Sequence, residues 1–265
     1  MTTLEKKVAV VYGGGGIVGG AIARTFAREG AQVHVVGRTR APLDRVVQSV
    51  TGDGGQAEAA LVDAADEDGV RRHLDQVVER AGRLDILVNA VGVPHVQGPP
   101  LAELGLDQFM APIDGYLRAL FVTAKAAAPH LAEHGSGVVL TLSTPGARLT
   151  GRGFLGNGVS SAAVEAFSRI LAGELGPDGV RVVCLRPHAI PASVGASHVT
   201  EAFAEMAGRA GATTDEWLAG AAQGTLLGRL PTPEDVAEYA AFAASDRART
   251  MTGAVANLSA GLLVD

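Results

Sequence analysis

Seven short runs of apolar residues recur along the chain, separated by longer, alanine-rich segments with helical periodicity. Most of the runs are continuously apolar, which is typical of parallel strands that helices cover on both faces. The alternation therefore predicts one doubly wound α/β domain over residues 1–265, with helices on both faces of a parallel sheet of about seven strands. The predicted strands are 8–11, 32–36, 57–61, 86–88, 138–142, 180–185 and 254–258.

One segment, residues 197–230, interrupts this alternation with amphipathic helical sequence around Phe203 and Trp217. In doubly wound folds, ligands bind in the crevice at the carboxyl ends of the strands, where the direction of winding reverses. We therefore expect the functional residues in the loops that follow the strands, and we interpret residues 197–230 as a lid over the crevice.

Charge and composition narrow the possible partners. A net charge of -6 does not favour nucleic acid or an anionic membrane, since both attract a basic surface. No segment approaches the roughly 18 consecutive apolar residues of a membrane span, and the first apolar run is too brief for a signal-peptide core. The single cysteine, Cys184, excludes an internal disulfide. We expect a cytoplasmic protein that acts on a small molecule, without a metal ion, nucleic acid or membrane.

A glycine-rich turn, residues 12–19, follows the first predicted strand and leads into a helix. Glycines let the backbone approach a pyrophosphate closely, and the free amides at the start of the helix attract its charge. The turn therefore predicts a dinucleotide site whose contacts include Gly13, Gly16, Ile17 and Gly19. The alternative is a tight strand-to-helix turn that holds no ligand.

Further motifs occur in an order that resembles the short-chain dehydrogenase/reductase family over essentially the whole chain. Residues 87–92 resemble the family's Asn-Asn-Ala-Gly element, and residues 227–236, 244–246 and 251–253 are typical of its C-terminal part. The resemblance implies a Rossmann-type sheet, an oxidoreductase and a nicotinamide dinucleotide cofactor. It also implies cofactor contacts from Asp63, Asn89, Gly92, Pro187 and Ile190.

The glycine-rich turn departs from the family's opening motif, Thr-Gly-x-x-x-Gly-x-Gly. Ile17 stands where the family has its middle glycine, and Tyr12 stands where it has a small hydroxyl residue. We expect Gly16, one residue earlier, to take the place of the missing glycine through a shifted turn.

The end of the second predicted strand bears on the choice of cofactor. The sequence there, Gly37-Arg38-Thr39, lacks the acidic side chain that binds the ribose hydroxyls of NAD. Arg38 offers planar donors to a 2′-phosphate, and Thr39 and Arg40 are supporting contacts. We therefore expect NADP rather than NAD. A solvated loop arginine is the alternative interpretation of Arg38.

The catalytic positions depart furthest from the family pattern. The family uses Asn, Ser, Tyr and Lys, the last two separated by four residues on one face of a helix. The match of residues 162–167 to the family segment after the lysine places Asn157 at the tyrosine position and Ser161 at the lysine position. The family spacing then places Thr144 at the catalytic serine and Tyr116 at the asparagine.

Neither Asn157 nor Ser161 can carry the usual proton relay, since the first has no titratable proton and the second has no charge. Three ionisable side chains are candidate replacements, namely Tyr116, His188 and His95. His188 is chemically the better acid, because histidine titrates near neutral pH. The alternative role of each is packing or contact with the substrate.

The resemblance also implies a homotetramer or homodimer. Its interface would form on the two long helices predicted at about residues 101–131 and 154–175, together with the last strand. Both helices are rich in small residues that permit close packing.

Three functional hypotheses follow from these residues. The first is an NADP-dependent oxidoreductase that acts on a small carbonyl or alcohol, in which Thr144 orients the substrate and His188 or Tyr116 donates the proton. The second is a redox-silent protein that binds the cofactor, which the simultaneous loss of tyrosine and lysine favours. The third is a non-redox reaction, such as cyclisation or elimination, in the same crevice.

Overall fold

Strands and helices alternate along the chain much as the apolar pattern predicts, in a computed structural model that describes residues 2–264. The strands are β1 (Val8–Tyr12), β2 (Gln32–Gly37), β3 (Gln56–Leu61), β4 (Ile86–Asn89), β5 (Val138–Leu142), β6 (Arg181–Pro187) and β7 (Ala254–Leu258). The helices are α1 (Ile17–Arg28), α2 (Arg40–Gly52), α3 (Glu67–Ala81), α4 (Leu106–Ala132), α5 (Leu155–Leu175), α6 (Val199–Arg209), α7 (Thr214–Gln223) and α8 (Pro233–Ala244).

All seven strands pair in parallel and form one sheet in the order β3-β2-β1-β4-β5-β6-β7. The order reverses its direction between β1 and β4, which leaves a crevice beyond the carboxyl ends of these strands. The predicted doubly wound α/β sheet is confirmed.

Different helices cover the two faces of the sheet. Along β1, Ala9 and Val11 point to the face that α1, α2 and α8 cover. Val8, Val10 and Tyr12 point to the opposite face, which α3, α4 and α5 cover. Because both faces are buried, both sets of strand residues are apolar, which explains the continuous runs in the sequence.

Side chains in the sequence fix where several helices begin and end. The Thr213 hydroxyl caps α7 by accepting from the N–H of Glu216 at 3.3 Å, and the Thr232 hydroxyl caps α8 by accepting from the N–H of Asp235 at 3.1 Å. Each such cap stabilises a helix by about 1 kcal/mol. Gly82 ends α3 in the left-handed region, at φ +77°.

Residues 197–230 contain α6 and α7, which pack on each other through a separate apolar cluster of Phe203, Leu218 and Leu230. The cluster gives this segment a core of its own, apart from the two cores of the sheet. The segment borders the crevice, and its action as a lid stays a prediction. Within residues 2–264, no helix combines the length and apolar character needed to cross a membrane.

Candidate active site

A cleft of about 770 Å³ opens at the carboxyl ends of the strands. It extends from the loops after β2 and β3, past the glycine-rich turn, to the loops after β5 and β6 and to α6 and α7. Most of the residues predicted for the site line this one cleft. They are Gly13, Gly16, Ile17, Gly19, Arg38, Thr39, Asp63, Gly92, Tyr116, Thr144, Asn157, Ser161, Pro187, His188 and Ile190.

The glycine-rich turn has no room for side chains at two positions. A Cβ on Gly13, whose φ is +77°, would lie 2.3 Å from the carbonyl oxygen of Ala90, and a Cβ on Gly19 would lie 2.3 Å from that of Gly13. Gly16 precedes α1, which begins at Ile17. The first amides of α1 therefore lack partners inside the helix and lie at the cleft. Such a turn fits a pyrophosphate.

Asn89, by contrast, lies outside the cleft lining and is buried at the end of β4. Its Nδ2 donates to the hydroxyl of Thr123 on α4 at 3.0 Å, and its Oδ1 accepts from the N–H of Val91 at 3.4 Å. Asn89 thus joins the strand to α4 and holds the loop that enters the cleft.

Arg38 and Asp63 supply the charge in the cleft lining, at the exits of β2 and β3. Arg38 is exposed and forms no hydrogen bond or ion pair with any residue that the structure describes. The nearby Arg40 is bonded through Nε to Asp44 at 2.8 Å, and Asp63 accepts from the N–H of Ala65 at 3.0 Å. Arg38 is therefore the cation available to an anionic ligand here.

Two hydroxyls meet at the opposite end of the cleft. Thr144 follows β5, and its Oγ1 lies 2.8 Å from the Oγ of Ser161 on α5. The same Oγ1 donates to Oδ1 of Asn157 at 3.2 Å and accepts from the N–H of Gly146 at 3.2 Å. Asn157 and Ser161 stand one turn apart on α5, so both reach Thr144 from the same face.

His95 joins this cluster from the loop after β4. Its Nδ1 faces the carbonyl of Val93 at 2.9 Å, which places the proton of the neutral ring on Nδ1. Its Nε2 accepts from the amides of Gln97 at 2.8 Å and Asn157 at 3.4 Å. A continuous network therefore runs from Ser161 through Thr144 and Asn157 to His95.

Burial lowers the pKa of the three histidines that line the cleft. For His95 a smaller, opposite effect comes from its bond to the Val93 carbonyl. His188 accepts at Nδ1 from the N–H of Ala189 at 2.6 Å, so its neutral ring carries the proton on Nε2. Burial and then the nearby His95 lower the pKa of His198 to about 4, and its Nε2 has no hydrogen-bond partner among the described residues.

Tyr116 lies next to this network, with its ring centroid 6.5 Å from that of His95. Burial raises its pKa, and a hydrogen bond with the backbone of Val93 partly opposes that rise. Within the part of the chain that the structure describes, the Tyr116 hydroxyl forms no hydrogen bond with Thr144. Of the three predicted proton-transfer candidates, His95 alone is bonded into the hydroxyl cluster.

A buried ion pair supports the cluster from below. Glu165, one turn after Ser161 on α5, accepts from the hydroxyl of Ser143 at 2.9 Å and from Nε of Arg186 at 2.7 Å. A second bond joins Arg186 Nη2 to the other carboxylate oxygen at 3.1 Å. The pair links α5, the residue before Thr144 and the end of β6, so it fixes the three segments that carry the site.

Sequence reasoning missed Gln97, His198 and the Glu165–Arg186 pair. The four-residue spacing of Glu165 from Ser161 is a usable signal, because it places both on one helix face. Gln97 lies in a loop, and His198 directly precedes α6 at the start of the predicted lid, so no helical spacing relates either residue to the cluster.

Comparison with known proteins agrees with this fold. A family model described as enoyl-(acyl carrier protein) reductase matches residues 16–262. An uncharacterized oxidoreductase of Methylorubrum extorquens is 35% identical over 264 residues, covering 99% of this chain and 100% of that protein. A short-chain reductase of Streptomyces niveus is 30% identical over 257 residues, covering 97% and 94%.

A crystal structure from Burkholderia xenovorans, assigned to the short-chain dehydrogenases/reductases, superposes with a TM-score of 0.85. It is 28% identical, and the match covers 100% of both chains. The chain belongs to the short-chain dehydrogenase/reductase family of oxidoreductases. Members of this family bind NAD or NADP.

Proposed function

We propose that this chain is an NADP-dependent oxidoreductase that interconverts a small alcohol and the corresponding carbonyl compound. The observation that carries the proposal is the pair of hydroxyls of Thr144 and Ser161, 2.8 Å apart in the cleft, with His95 tied to them through Asn157. Hydroxyls in this position can bind a carbonyl oxygen, and imidazole exchanges protons near neutral pH.

The other half of the cleft fits a phosphorylated dinucleotide. The tight backbone at Gly13 and Gly19 leaves free amides at the start of α1, which suit a pyrophosphate. Arg38 suits a 2′-phosphate, and Asp63 suits the adenosine part. The cofactor, when bound, accepts or supplies the hydride.

Thr144 and Ser161 orient the substrate oxygen. The N–H of Gly146 holds Oγ1 of Thr144 in place, and Ser161 approaches the same atom from α5. The Thr144 proton, which is directed at Asn157 in the free protein, turns to a carbonyl oxygen by rotation about one bond.

His95 takes the proton during alcohol oxidation. Because its Nδ1 donates to Val93, Nε2 is the ring nitrogen that can accept a proton. The amides that bond to Nε2, those of Gln97 and Asn157, belong to side chains and rotate away when the alcohol enters. Burial holds its pKa below the ordinary 6.5, so the ring is neutral at neutral pH and acts as a base. The hydroxyl proton of the alcohol moves to Nε2, and the reverse transfer accompanies carbonyl reduction.

His188 and Tyr116 are less suited to proton transfer and are proposed to bind the substrate. The N–H of Ala189 occupies Nδ1 of His188, so the neutral ring offers only a hydrogen-bond donor at Nε2. Burial raises the pKa of Tyr116. Within residues 2–264, no lysine lines the cleft to oppose that rise.

The substitution Thr144→Val tests the substrate-orienting role, because valine keeps the shape of threonine and removes the hydroxyl. We expect kcat/KM to fall about 100-fold. NADPH affinity, measured by calorimetric titration, should remain near the parent value. Cofactor binding without hydride transfer, from varied alcohols to NADP+ and from NADPH to varied carbonyls, would contradict the proposal and favour a redox-silent protein. Substrate conversion without a change in NADPH absorbance would point instead to cyclisation or elimination.

The pH profile tests His95. Oxidation should rise with pH through a pKa below 6.5 and then level, because only the neutral ring accepts the proton. In His95→Gln this rise should disappear and the rate should fall about 100-fold. The matched control is His188→Gln, which should change KM and keep the profile. An unchanged profile in His95→Gln would assign the proton to another group.

Exposed apolar side chains on α4 and α5 support a homo-oligomer. Phe121 on α4 is 54% exposed and Ile170 on α5 is 62% exposed, and both are large apolar residues. Leu106, Met110 and Leu155 on the same two helices are exposed as well. We propose a homotetramer or homodimer that works in the cytoplasm on a small molecule, without nucleic acid or membrane.

A further inference from the structure

The substrate pocket, the part of the cleft beyond Thr144, has a wall of apolar side chains. The wall consists of Leu149, Phe154, Val199, Phe203 and Trp217. The rings of Phe203 and Trp217, from α6 and α7, lie with centroids 5.2 Å apart and planes 38° apart. Val199, Phe203 and Trp217 belong to the apolar cluster that these two helices share, so packing holds this part of the wall in place. Rigid aromatic surfaces favour flat, ring-bearing ligands.

No formally charged side chain lines the substrate pocket within residues 2–264. The two charged residues of the whole cleft lining, Arg38 and Asp63, lie at the other end, at the exits of β2 and β3. The histidines in the pocket are His95, His188 and His198, and burial lowers the pKa of all three, which keeps them neutral at neutral pH. A charged substrate would lose its hydration here and find no counter-ion.

We infer that the substrate is a neutral, ring-bearing secondary alcohol or ketone, and that the pocket rejects the same skeleton when it carries a carboxylate. This inference rests on the proposed function, since it names the substrate class of that same site. Thr144, Ser161 and His95 supply polar groups for one substrate oxygen atom. They supply no counter-ion for an additional charged group.

A matched pair of ketones tests the inference. The neutral probe is 4-phenylcyclohexanone, and the charged probe is 4-(4-carboxyphenyl)cyclohexanone, which has the same ring skeleton. With NADPH and the full chain, we expect kcat/KM for the neutral ketone to exceed that for the carboxylate by about 100-fold or more. Comparable values for the two ketones, or a preference for the carboxylate, would overturn the inference.

Binding without turnover separates this inference from the proposed function. Trp217 is the only tryptophan and lines the pocket, so its fluorescence reports occupancy. Saturable quenching by the neutral ketone and none by the carboxylate, even without NADPH oxidation, would support the substrate class while the oxidoreductase proposal fails. Turnover of the charged ketone alone would support the oxidoreductase proposal and overturn the substrate class. Absence of quenching by both ketones would overturn the substrate class.

Two substitutions of Trp217, one that adds charge and one that does not, test the same inference through the protein instead of the substrate. Trp217→Arg adds a cation to the wall, and we expect the ratio of neutral to charged kcat/KM to fall at least about tenfold. Trp217→Phe is the matched control, because it keeps an aromatic, uncharged surface and should keep the preference. Thermal melting of both variants checks that α6 and α7 remain folded. A ratio that is unchanged in a folded Trp217→Arg variant would contradict the inference.

Discussion

Buried histidines under the first strand make the stability of this protein depend on pH. His73 on α3 is 8% exposed, and its Nδ1 is hydrogen-bonded to the hydroxyl of Tyr12 at 3.2 Å. Its ring lies 6.4 Å from that of His34 on β2. Burial, and secondarily repulsion from His34, lowers the pKa of His73 from 6.5 to about 4. The folded protein therefore keeps this ring neutral where an unfolded chain would protonate it.

The sign and size of the effect follow from these two values. As pH falls below about 6.5, the unfolded chain binds a proton that the folded chain refuses until about pH 4, so stability falls over this interval and levels below it. At 1.36 kcal/mol per pKa unit, the full effect is about 3 kcal/mol, and about 2 kcal/mol of it is lost by about pH 5. That loss is a large part of a typical stability of 5–15 kcal/mol.

The charged groups near this histidine pair change the pKa of His34, and they do not reverse the direction of the shift for His73. Burial lowers the pKa of His34, Glu58 on β3 opposes this, and Arg80 on α3 adds to it. His34 therefore titrates in the same direction as His73. Removal of His73 alone should weaken the pH dependence of stability without abolishing it.

Urea unfolding at several pH values, on the parent and on His73→Phe, measures the effect. Between about pH 7.5 and about pH 5 the parent should lose about 2 kcal/mol more than the variant. The exposed His134 gives the control His134→Gln, whose curve should run parallel to that of the parent. Parallel curves for the parent and His73→Phe would refute the reasoning, whatever the absolute stabilities.

Three further predictions concern the cofactor, the buried ion pair and the assembly. Arg38→Ala should weaken NADPH binding about 10–100-fold and leave NADH binding unchanged, measured by calorimetry, while Arg40→Ala should change neither. Glu165→Gln should lower the free energy of unfolding by about 2 kcal/mol in urea, because the buried Arg186 loses the charged acceptor of two of its hydrogen bonds. Phe121→Asp should dissociate the proposed homo-oligomer, measured as a fall in mass by light scattering, and an unchanged mass would contradict an interface at Phe121.

The sheet could be predicted because each strand has a distinct local signal. The inner strands are mostly apolar and buried, as in β1 and β4, whereas the edge strand β3 has exposed polar positions at Gln56 and Glu58. Even there, enough apolar residues remain on the inner side to mark a strand. The glycine-rich turn could also be predicted from the sequence. Backbone carbonyls lie so close to Gly13 and Gly19 that a side chain at either position would clash, so glycine is required there.

Only part of the hydroxyl cluster could be predicted from the sequence. Helical spacing relates Asn157 to Ser161 and so brings both to Thr144. The position of His95 depends on a loop that is 62 residues from Asn157 in sequence, and loops have no periodicity from which a contact can be inferred. The tautomer of His188, which decides its chemistry, depends on one backbone N–H that only the folded loop supplies.

The lack of charge in the proposed substrate pocket and the proposed role of His95 as base are physically connected. A lysine or a carboxylate beside Thr144 would be desolvated by the apolar wall that includes Phe203 and Trp217, and its charge would be costly without a partner. A histidine avoids that cost, because it rests neutral and carries charge only while it holds the transferred proton. The opposite charges of Glu165 and Arg186 are buried next to the site and are hydrogen-bonded to each other. Proton transfer and apolar recognition can thus share one pocket, provided that the base is one whose resting form is neutral.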